Sequence, residues 1–552
     1  MSKSDEKLQE EIIDVCLRRG IVFPTAEIYG SAGGFFEFGP IGELLRQNLV
    51  NLWREHFIRS EENIFEISGS TILPEKVFEA SGHLETFNDP LTQCEKCKSM
   101  FRVDHLLHEV EPETNFDGLP LEVLQKELER LKITCPKCKG PLGPPKQFNL
   151  MFETKIGPSS GHRGFLRPET AQNIFLNFRR ISHSMRAKLP FGIAQIGKAY
   201  RNEISPRNFL IRMREFEQME IEMFVDPEKL NEHPRWDEIA DIEISILTRE
   251  SQETGGKPIK ITVEQALQDG LIPNQFFGYY MALESEFIKS LGVPEDKFWF
   301  RHLLEKETAH YSKANFDLEI AFPFGVVECI GNAYRTDYDL KKHAEKSKTK
   351  LHMTTDDGRK VIPHVIEPSF GVQRLFYILL LSSYRKNDRD WTWFQFPYSV
   401  APYEVVVAPL MKKDGLKETA YDFFWELKDE GIDAIYDESG QIGKRYARSD
   451  EIGIPFVLTI DYQTLEDDTV TIRDRDTMKQ YRIPMAETSD IIRELIFNVI
   501  SFEDLKNEYR KLNSPPSEKK NDAKGNGKKK ETGKKKSTSG KKKQRKSGKQ
   551  EK

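Results

Sequence analysis

Residues 200–224 read YRNEISPRNFLIRMREFEQMEIEMF, and the polar–apolar alternation on either side of ISPRN predicts two strands joined by a turn. In an extended chain, side chains two apart share a face. Arg201 and Glu203 therefore point one way together, as do Arg212, Arg214, Phe216, Gln218 and Glu220. Such a face offers guanidinium groups that grip phosphate oxygens, an aromatic ring that stacks on a base, and a carboxylate that holds an ammonium. A solvated charged face of a surface sheet shows the same period, so the rest of the chain has to decide between the two.

Working outward, 552 residues with 38% hydrophobic and 11% aromatic content supply several cores, roughly three or four domains at about 100–200 residues each. Residues 1–90 carry a Gly-rich segment, YGSAGGFFEFGPIG, and then Leu44, Leu45, Leu49, Leu52, Trp53 and Phe57 at helical spacing behind Pro40. Residues 91–165 hold two CxxC pairs around a charged helical segment, LEVLQKELERLK, and read as an insertion. Core patterning occupies 166–226 and resumes over 313–400 through FDLEIAFPFGVVECIG and FGVQRLFYILLLSSYR. Between them, EQALQDG and YYMALESEFIKSLG predict a helical insertion over 227–312. From 401 to 505 strand and helix alternate, which predicts a separate small α/β domain with a mixed sheet.

Charge divides by position. From Asn513 to Lys552 there are 16 basic residues against four acids, +12 in 40 positions, so the formal −6 of the whole chain leaves −18 on the other 512 residues. That tail has one Ala as its only apolar residue and is expected to be disordered. The longest apolar run, Leu375 to Leu381, falls short of the roughly 18 residues a membrane span needs, and the start MSKSDEKLQEE lacks an apolar signal core. Six cysteines, four of them in CxxC pairs, suit a reducing cytoplasm. Cys94, Cys97, Cys135 and Cys138 can place four thiolates around a structural Zn²⁺, with His105 and His108 as substitute ligands. Cys16 and Cys329 read as buried thiols. Gly192-Ile-Ala-Gln-Ile-Gly197-Lys198 nearly matches a phosphate-binding loop, but Ala199 stands where Ser or Thr belongs and the segment continues as a strand.

YRNE at Tyr200 to Glu203, the returning strand with Phe216, and EPSFGVQR at Glu367 to Arg374 resemble motifs 2 and 3 of class II aminoacyl-tRNA synthetases. Adding RPETAQ at Arg167 to Gln172, ASGH at Ala80 to His83 and APYEVVV at Ala401 to Val407, the chain is similar over nearly all of 10–505 to glycyl-tRNA synthetases of the homodimeric kind. The fold this implies is α+β. It comprises an antiparallel-sheet catalytic domain with helical and zinc-knuckle-like insertions, followed by an α/β anticodon-binding domain.

The resemblance also assigns roles. Arg201 would hold the α-phosphate of ATP with Asn202 and Glu203 beside it. Phe216 and Arg374 would sandwich the adenine, and Ile211, Arg212, Cys329 and Gly371 would complete the nucleotide site. Where the family commonly has a second Gly after Gly371, this chain has Gln373. Glu328 resembles the Mg²⁺-associated acid, read as sharing a strand face with Val326 and Ile330. Glu169, Glu220 and Ser369 would form the glycine pocket with Glu367, Phe216, Gln218 and Gly371, and Arg102 is a candidate for the substrate carboxylate. Acids converging on one cavity are costly unless a cation joins them, which the substrate ammonium supplies. Arg201, Arg374 and Glu328 would carry the catalysis.

SGQIGKRYARSDEIGIPFVLTID resembles the anticodon-binding domain of class IIa synthetases, where Lys444, Arg445 and Arg448 would meet RNA phosphates. The helix Glu43 to Phe57 resembles motif 1, which implies a homodimer. The implied activity is glycine–tRNA ligase, with glycine and tRNA(Gly) as partners and a cytoplasmic location. Two rivals stand beside it: another class IIa specificity such as proline or threonine, opposed by Glu169, Glu220 and Glu367, and a silent RNA-binding paralogue, opposed by intact Arg201, Glu203, Phe216 and Arg374.

Overall fold

The computed structural model describes residues 3–509 except 113, 115, 117, 159, 160, 207, 310, 323 and 324. The Lys-rich segment 513–552 lies outside the described residues.

A nine-stranded sheet organises the first 400 residues. Its strands in chain order are β1 (Ile64–Ile67), β2 (Phe191–Tyr200), β3 (Glu215–Val225), β4 (Glu243–Leu247), β5 (Ile259–Thr262), β6 (Phe298–His302), β7 (Asn315–Phe322), β8 (Gly325–Thr336) and β9 (His364–Gly371). They lie in the order β5-β4-β6-β7-β8-β9-β3-β2-β1, antiparallel except for β1 with β2 and β4 with β6. Helices are α1 (Lys3–Arg18), α2 (Pro40–Arg54), α3 (Ala171–Ser184), α4 (Gln275–Ser290), α5 (Tyr338–Ser347) and α6 (Val372–Ser383).

The period of two decides which face is core. On β3, Met219, Ile221, Met223 and Val225 join residues of α1, α2, α4 and α6 in the main apolar cluster. Phe224 on the opposite parity packs with Phe175 and Phe178 of α3 and with Phe191 and Ile193 of β2. Gln218, Glu220 and Glu222 share that second face, which α3 and α5 cover at one end only.

Three sequence expectations change. The strand after ISPRN begins at Glu215, so Arg212 and Arg214 lie in a loop over 201–214 and not on the strand face. The segment 227–312 is not purely helical: EISIL, IKIT and FWFRH supply β4, β5 and β6, which extend the central sheet. The helix expected from Glu43 to Phe57 starts at Pro40 and gives way at Glu55–Arg59 to a π-turn.

Beyond it lies a five-stranded mixed sheet: β10 (Val405–Pro409), β11 (Ala434–Tyr436), β12 (Phe456–Ile460), β13 (Thr469–Asp474) and β14 (Gln480–Pro484). The order is β11-β10-β12-β13-β14, with β10 parallel to both neighbours. With α7 (Leu416–Asp429), α8 (Ile442–Glu451) and α9 (Thr488–Ile496) around it, this sheet has its own apolar cluster. The end of α8 ties it to the first 400 residues: Glu451 meets Arg18 of α1 and Arg19, and fully buried Asp450 accepts Arg389 Nη1 at 2.8 Å.

Candidate active site

The 201–214 loop, the start of β3, β8 and the start of α6 enclose a cleft of about 250 Å³. Arg201 leaves the end of β2 with its Nε donating to Pro168 O at 3.2 Å, and its guanidinium lies 5.3 Å over the Phe216 ring and 5.5 Å over the Phe87 ring. Aromatic faces orient the cation without neutralising it, so its charge is available to an anion in the cleft. Across from it, Arg374 in the first turn of α6 donates from Nη1 to Glu328 O at 2.7 Å and stands 3.2 Å from the Glu328 carboxylate. That guanidinium holds the Glu328 carboxyl below its ordinary range.

Glu328 reaches the cleft through a bulge. Leu318 pairs with Ile330 but Glu319 pairs with Glu328, so Cys329 is the extra residue. Without it Glu328 would share a face with the core residue Ile330, as the sequence suggested; with it Glu328 joins Gly331 in the cleft wall while Ile330 stays buried. Asp317 and Glu319 of the adjacent strand lie beside it. Burial, then Glu328, pushes the Asp317 carboxyl well up. Arg301 pairs with Glu319 at 2.8 Å and stands 3.8 Å from Asp317, so these acids are partly balanced by Arg301 and Arg374.

Ile211, Arg212, Phe216, Gln218, Cys329, Ser369 and Gly371 also line the cleft. Glu203 is buried 3.5 Å from Arg212 Nε. Asn202 donates its backbone N–H to Leu150 O at 2.8 Å and stands beside the cleft wall. Arg214 turns away, donating to Glu203 O at 3.0 Å and Gly33 O at 2.7 Å, and so clamps the loop. Gln373 uses its side-chain oxygen to accept the Glu217 N–H at 2.7 Å, fastening the sheet to α6.

At the inner end of the cleft the acids converge. Glu220 is fully buried and accepts from Thr170 N at 2.9 Å, Gln218 Nε2 at 2.8 Å and Ser369 Oγ at 2.7 Å, and also from the Thr170 hydroxyl. Glu169 accepts from Gln172 Nε2 at 2.8 Å and lies 3.5 Å from His83 Nε2, which joins the RPETAQ and ASGH segments. Burial opposes its ionisation, but His83 and Arg335 hold its carboxyl low. Glu367 accepts Arg335 Nη1 at 2.7 Å, yet burial pushes it up to about 8. Arg335 also grips Asp339 at 2.8 and 3.1 Å, with its guanidinium 4.0 Å from the Tyr311 ring. Glu222, one strand period beyond Glu220, is fully buried with neither carboxyl oxygen hydrogen-bonded. Burial and Glu367 raise it well above the usual range.

Sequence reasoning thus brought Glu169, Glu220, Glu367 and Ser369 together but missed Arg335, Thr170 and Glu222. Glu222 was accessible from the same period-two rule that gave Glu220. Arg102 pairs with Asp89 at 2.9 Å and with Asp104, and lines a neighbouring cavity of about 730 Å³ that meets the cleft at Arg212.

The near-match to a phosphate loop is the middle of β2. A Cβ at Gly197 would lie 2.3 Å from Arg167 Nη2, so glycine there admits the buried Arg167 side chain. In the 91–165 insertion the four cysteine sulfurs lie within 4.8 Å of one another, with Cys94–Cys138 at 3.5 Å and Cys97–Cys135 at 3.6 Å. Four thiolates around Zn²⁺ at about 2.3 Å would stand about 3.8 Å apart. A Cβ at Gly140 would meet Cys94 and Cys138 Sγ at 3.3 and 3.2 Å, so glycine keeps this nest open. His105 instead contacts Arg212 at 3.0 Å, and His108 packs on Phe116, so neither replaces a cysteine. In the C-terminal domain buried Arg445 donates to the carbonyls of Pro409, Glu438 and Gly440, and Arg448 pairs with Asp437; of the three expected phosphate contacts only Lys444 is exposed and uncommitted.

An antiparallel sheet with a cationic nucleotide cleft, followed by a mixed α/β domain, is the arrangement of class II aminoacyl-tRNA synthetases. Residues 152–383 match the tRNA synthetase class II core domain (G, H, P, S and T), and residues 404–495 match the anticodon binding domain. Prolyl-tRNA synthetase of Cryptosporidium parvum is similar in fold, with a TM-score of 0.54 at 13% identity over 92% of this chain and 80% of that one. Curated glycine–tRNA ligases are far closer in sequence. Those of Thermococcus sibiricus and Thermococcus kodakarensis are 40% and 41% identical over 88% of this chain and 98% of their own, and that of Methanocaldococcus jannaschii is 38% identical over 89% and 99%. The chain belongs to the glycine–tRNA ligase family.

Proposed function

We propose that this protein activates glycine with ATP and transfers it to the 3′ end of tRNA(Gly). The observation that carries the reading is the position of the acid pocket: Glu169, Glu220 and Glu367 stand directly behind the Arg201–Phe216–Arg374 cleft. ATP would lie with its adenine between Phe216 and Arg374, Glu203 beside it, and its α-phosphate on Arg201. The glycine ammonium would sit among Glu220, Glu169 and Ser369, which aims its carboxylate at the phosphate. A carboxylate oxygen then attacks the α-phosphorus, the bond to the β-phosphate oxygen breaks, and pyrophosphate leaves. In the second step the terminal 3′-hydroxyl attacks the glycyl carbonyl, its proton is released, and AMP departs. Arg201 and Arg374 counter the charge that develops on the phosphates. Glu328, with Asp317, would hold Mg²⁺, which supplies charge neutralisation when bound. Arg102 would reach the substrate carboxylate only by releasing both Asp89, whose carboxyl burial pushes up to about 6, and Asp104.

Glycine is selected by charge and by lack of room, since a methyl group offers only about 1–3 kcal/mol of attractive discrimination and a filled pocket must reject by clash. The chain would work as a cytoplasmic homodimer through α2, with residues 1–400 as catalytic body, the 91–165 and 227–312 insertions within it, 401–505 as anticodon-binding domain, and structural Zn²⁺ in the Cys94–Cys97–Cys135–Cys138 nest. Among the described residues no helix is long and apolar enough to cross a membrane.

Glycine-dependent exchange of pyrophosphate into ATP tests the reading. We expect exchange with glycine alone among amino acids, and Glu220→Ala should lower kcat/KM for glycine by two to three orders of magnitude, about 3–4 kcal/mol, while leaving ATP affinity within a few-fold. Exchange with proline or threonine would reassign the specificity, and none at all would remove the enzyme.

A further inference from the structure

The body carries −18, yet the fold assembles one surface of the opposite sign. Residues 171–190, which include α3, hold Arg179, Arg180, Arg186 and Lys188 and no acid; residues 341–352, spanning the end of α5 and the segment after it, hold five lysines and Glu345. The two stretches are about 150 residues apart in sequence and meet where α5 packs on α3, so a net +8 over 32 positions comes together. Between them runs a groove of about 640 Å³, lined by Arg179, Arg180, His183, Ser347 and Thr349.

Five of the nine cations there have no carboxylate partner among the described residues. Elsewhere on the body most arginines are consumed by carboxylates, as Arg163 is by Glu75 and Glu153. Around the groove Lys188 pairs with Asp356 at 2.9 Å, Lys341 with Asp337 at 2.6 Å, Lys342 with Glu345 at 3.9 Å, and Lys346 with Glu79. Arg179, Arg180, Arg186, Lys348 and Lys350 are exposed and make no ion pair with any described residue. Five exposed, unpaired cations on an otherwise acidic body make a local positive field complementary to a polyanion. The groove wall also reaches the active site. His343, on that wall, meets Gln172 Oε1 from its Nε2 at 2.8 Å, and Gln172 Nε2 donates to Glu169 at 2.8 Å.

We infer that the α3–α5 groove is a docking surface for the phosphate backbone of RNA, and that the RNA is the tRNA this enzyme charges. The inference rests on the tRNA-ligase reading. The two arginines suit bidentate grips on phosphate, the lysines add point charges, and nothing in the lining reads a base, so the contact contributes affinity and orientation and not identity.

The test is equilibrium binding of a tRNA(Gly) transcript to the full chain and to Arg179→Gln/Arg180→Gln/Lys348→Gln/Lys350→Gln, between 50 and 200 mM KCl. Each lost phosphate contact should flatten the slope of log affinity against log salt by roughly 0.7–0.9, so the four substitutions should cost up to about three to three and a half in slope and weaken binding at least about tenfold near 100 mM. Pyrophosphate exchange should stay at the wild-type rate, which reports an intact fold and active site. An unchanged slope in a variant that still exchanges pyrophosphate overturns the inference, and a variant that dissociates in sedimentation with unaltered RNA affinity assigns the face to contact between copies. Absence of glycine-dependent exchange in the wild type would instead overturn the enzymatic reading itself.

Discussion

Five carboxyl groups, Glu169, Glu220, Glu222, Glu367 and Asp339, crowd the inner pocket around the single guanidinium of Arg335, so proton affinity and ammonium affinity compete there. Glu222 has no hydrogen-bond partner, and burial raises both it and Glu367, the latter to about 8. Burial thus favours a protonated carboxyl in this cluster, which a substrate ammonium would displace on binding. Folded apoprotein then binds more protons than the unfolded chain between about pH 4.3 and 8, so it loses stability as pH rises through that window, while glycine binds more tightly. The KM for glycine should fall several-fold from pH 6 to 8, and calorimetry in buffers of different ionisation heat should record proton release on binding. A flat KM with no release would mean the cluster is already ionised. The acids were legible as a trio because each lies in a motif, but Arg335 was not. It is the extra residue at the register shift of β8 between Tyr334 and Thr336, where alternation gives no guidance to its face.

At the scale of elements, alternation found the strands and failed at their interruptions. The bulge at Cys329 is invisible in VVECIG, because one extra residue changes every later side chain's face without changing composition. Likewise ISPRN does mark a break, but the loop runs to Arg214, whose backbone N–H goes to Gly34 O at 2.8 Å while its side chain clamps the Gly33 and Glu203 carbonyls. The cysteine spacing was readable, and the fold adds why two knuckles 37 residues apart meet. Lys98 and Lys139, each directly after a second cysteine, adopt left-handed backbone, and each donates its N–H back to the first cysteine of its pair, at 3.0 and 2.8 Å. Around them the insertion has only a small apolar cluster of Val103, Leu107, Phe116, Leu124 and Leu128. A structural zinc, with apparent binding free energy of about 10–16 kcal/mol, would then dominate the insertion's stability. Purified protein should contain one zinc per chain. Cys135→Ser should abolish it and expose 91–165 to limited proteolysis, with the sheet's thermal transition kept; a metal-free wild type with a protease-resistant insertion would count against the site.

For the whole molecule the question is how a −18 body takes a polyanion. Its cations are mostly committed internally: Arg445 to three carbonyls, Arg473 and Arg389 to Asp450, Arg335 to Glu367 and Asp339. That commitment was unreadable in sequence, where Arg445 and Arg448 looked free; so was the α3–α5 groove, whose halves only the fold brings together. The Lys-rich tail is the opposite case, evident from composition alone. A +12 segment tethered to the body raises the local concentration of any bound RNA near the enzyme while leaving glycine and anticodon identity to the folded part. A purely electrostatic contribution should fade as the Debye length shrinks from about 30 Å at 0.01 M salt to about 8 Å at 0.15 M. Removing residues 513–552 is therefore expected to raise the apparent KM for tRNA several-fold at low salt, with the difference closing as salt rises, and to leave glycine-dependent pyrophosphate exchange unaltered. Equal KM values across the whole salt range would reduce the tail to a solubilising appendage and assign all RNA capture to the body, the α3–α5 groove included.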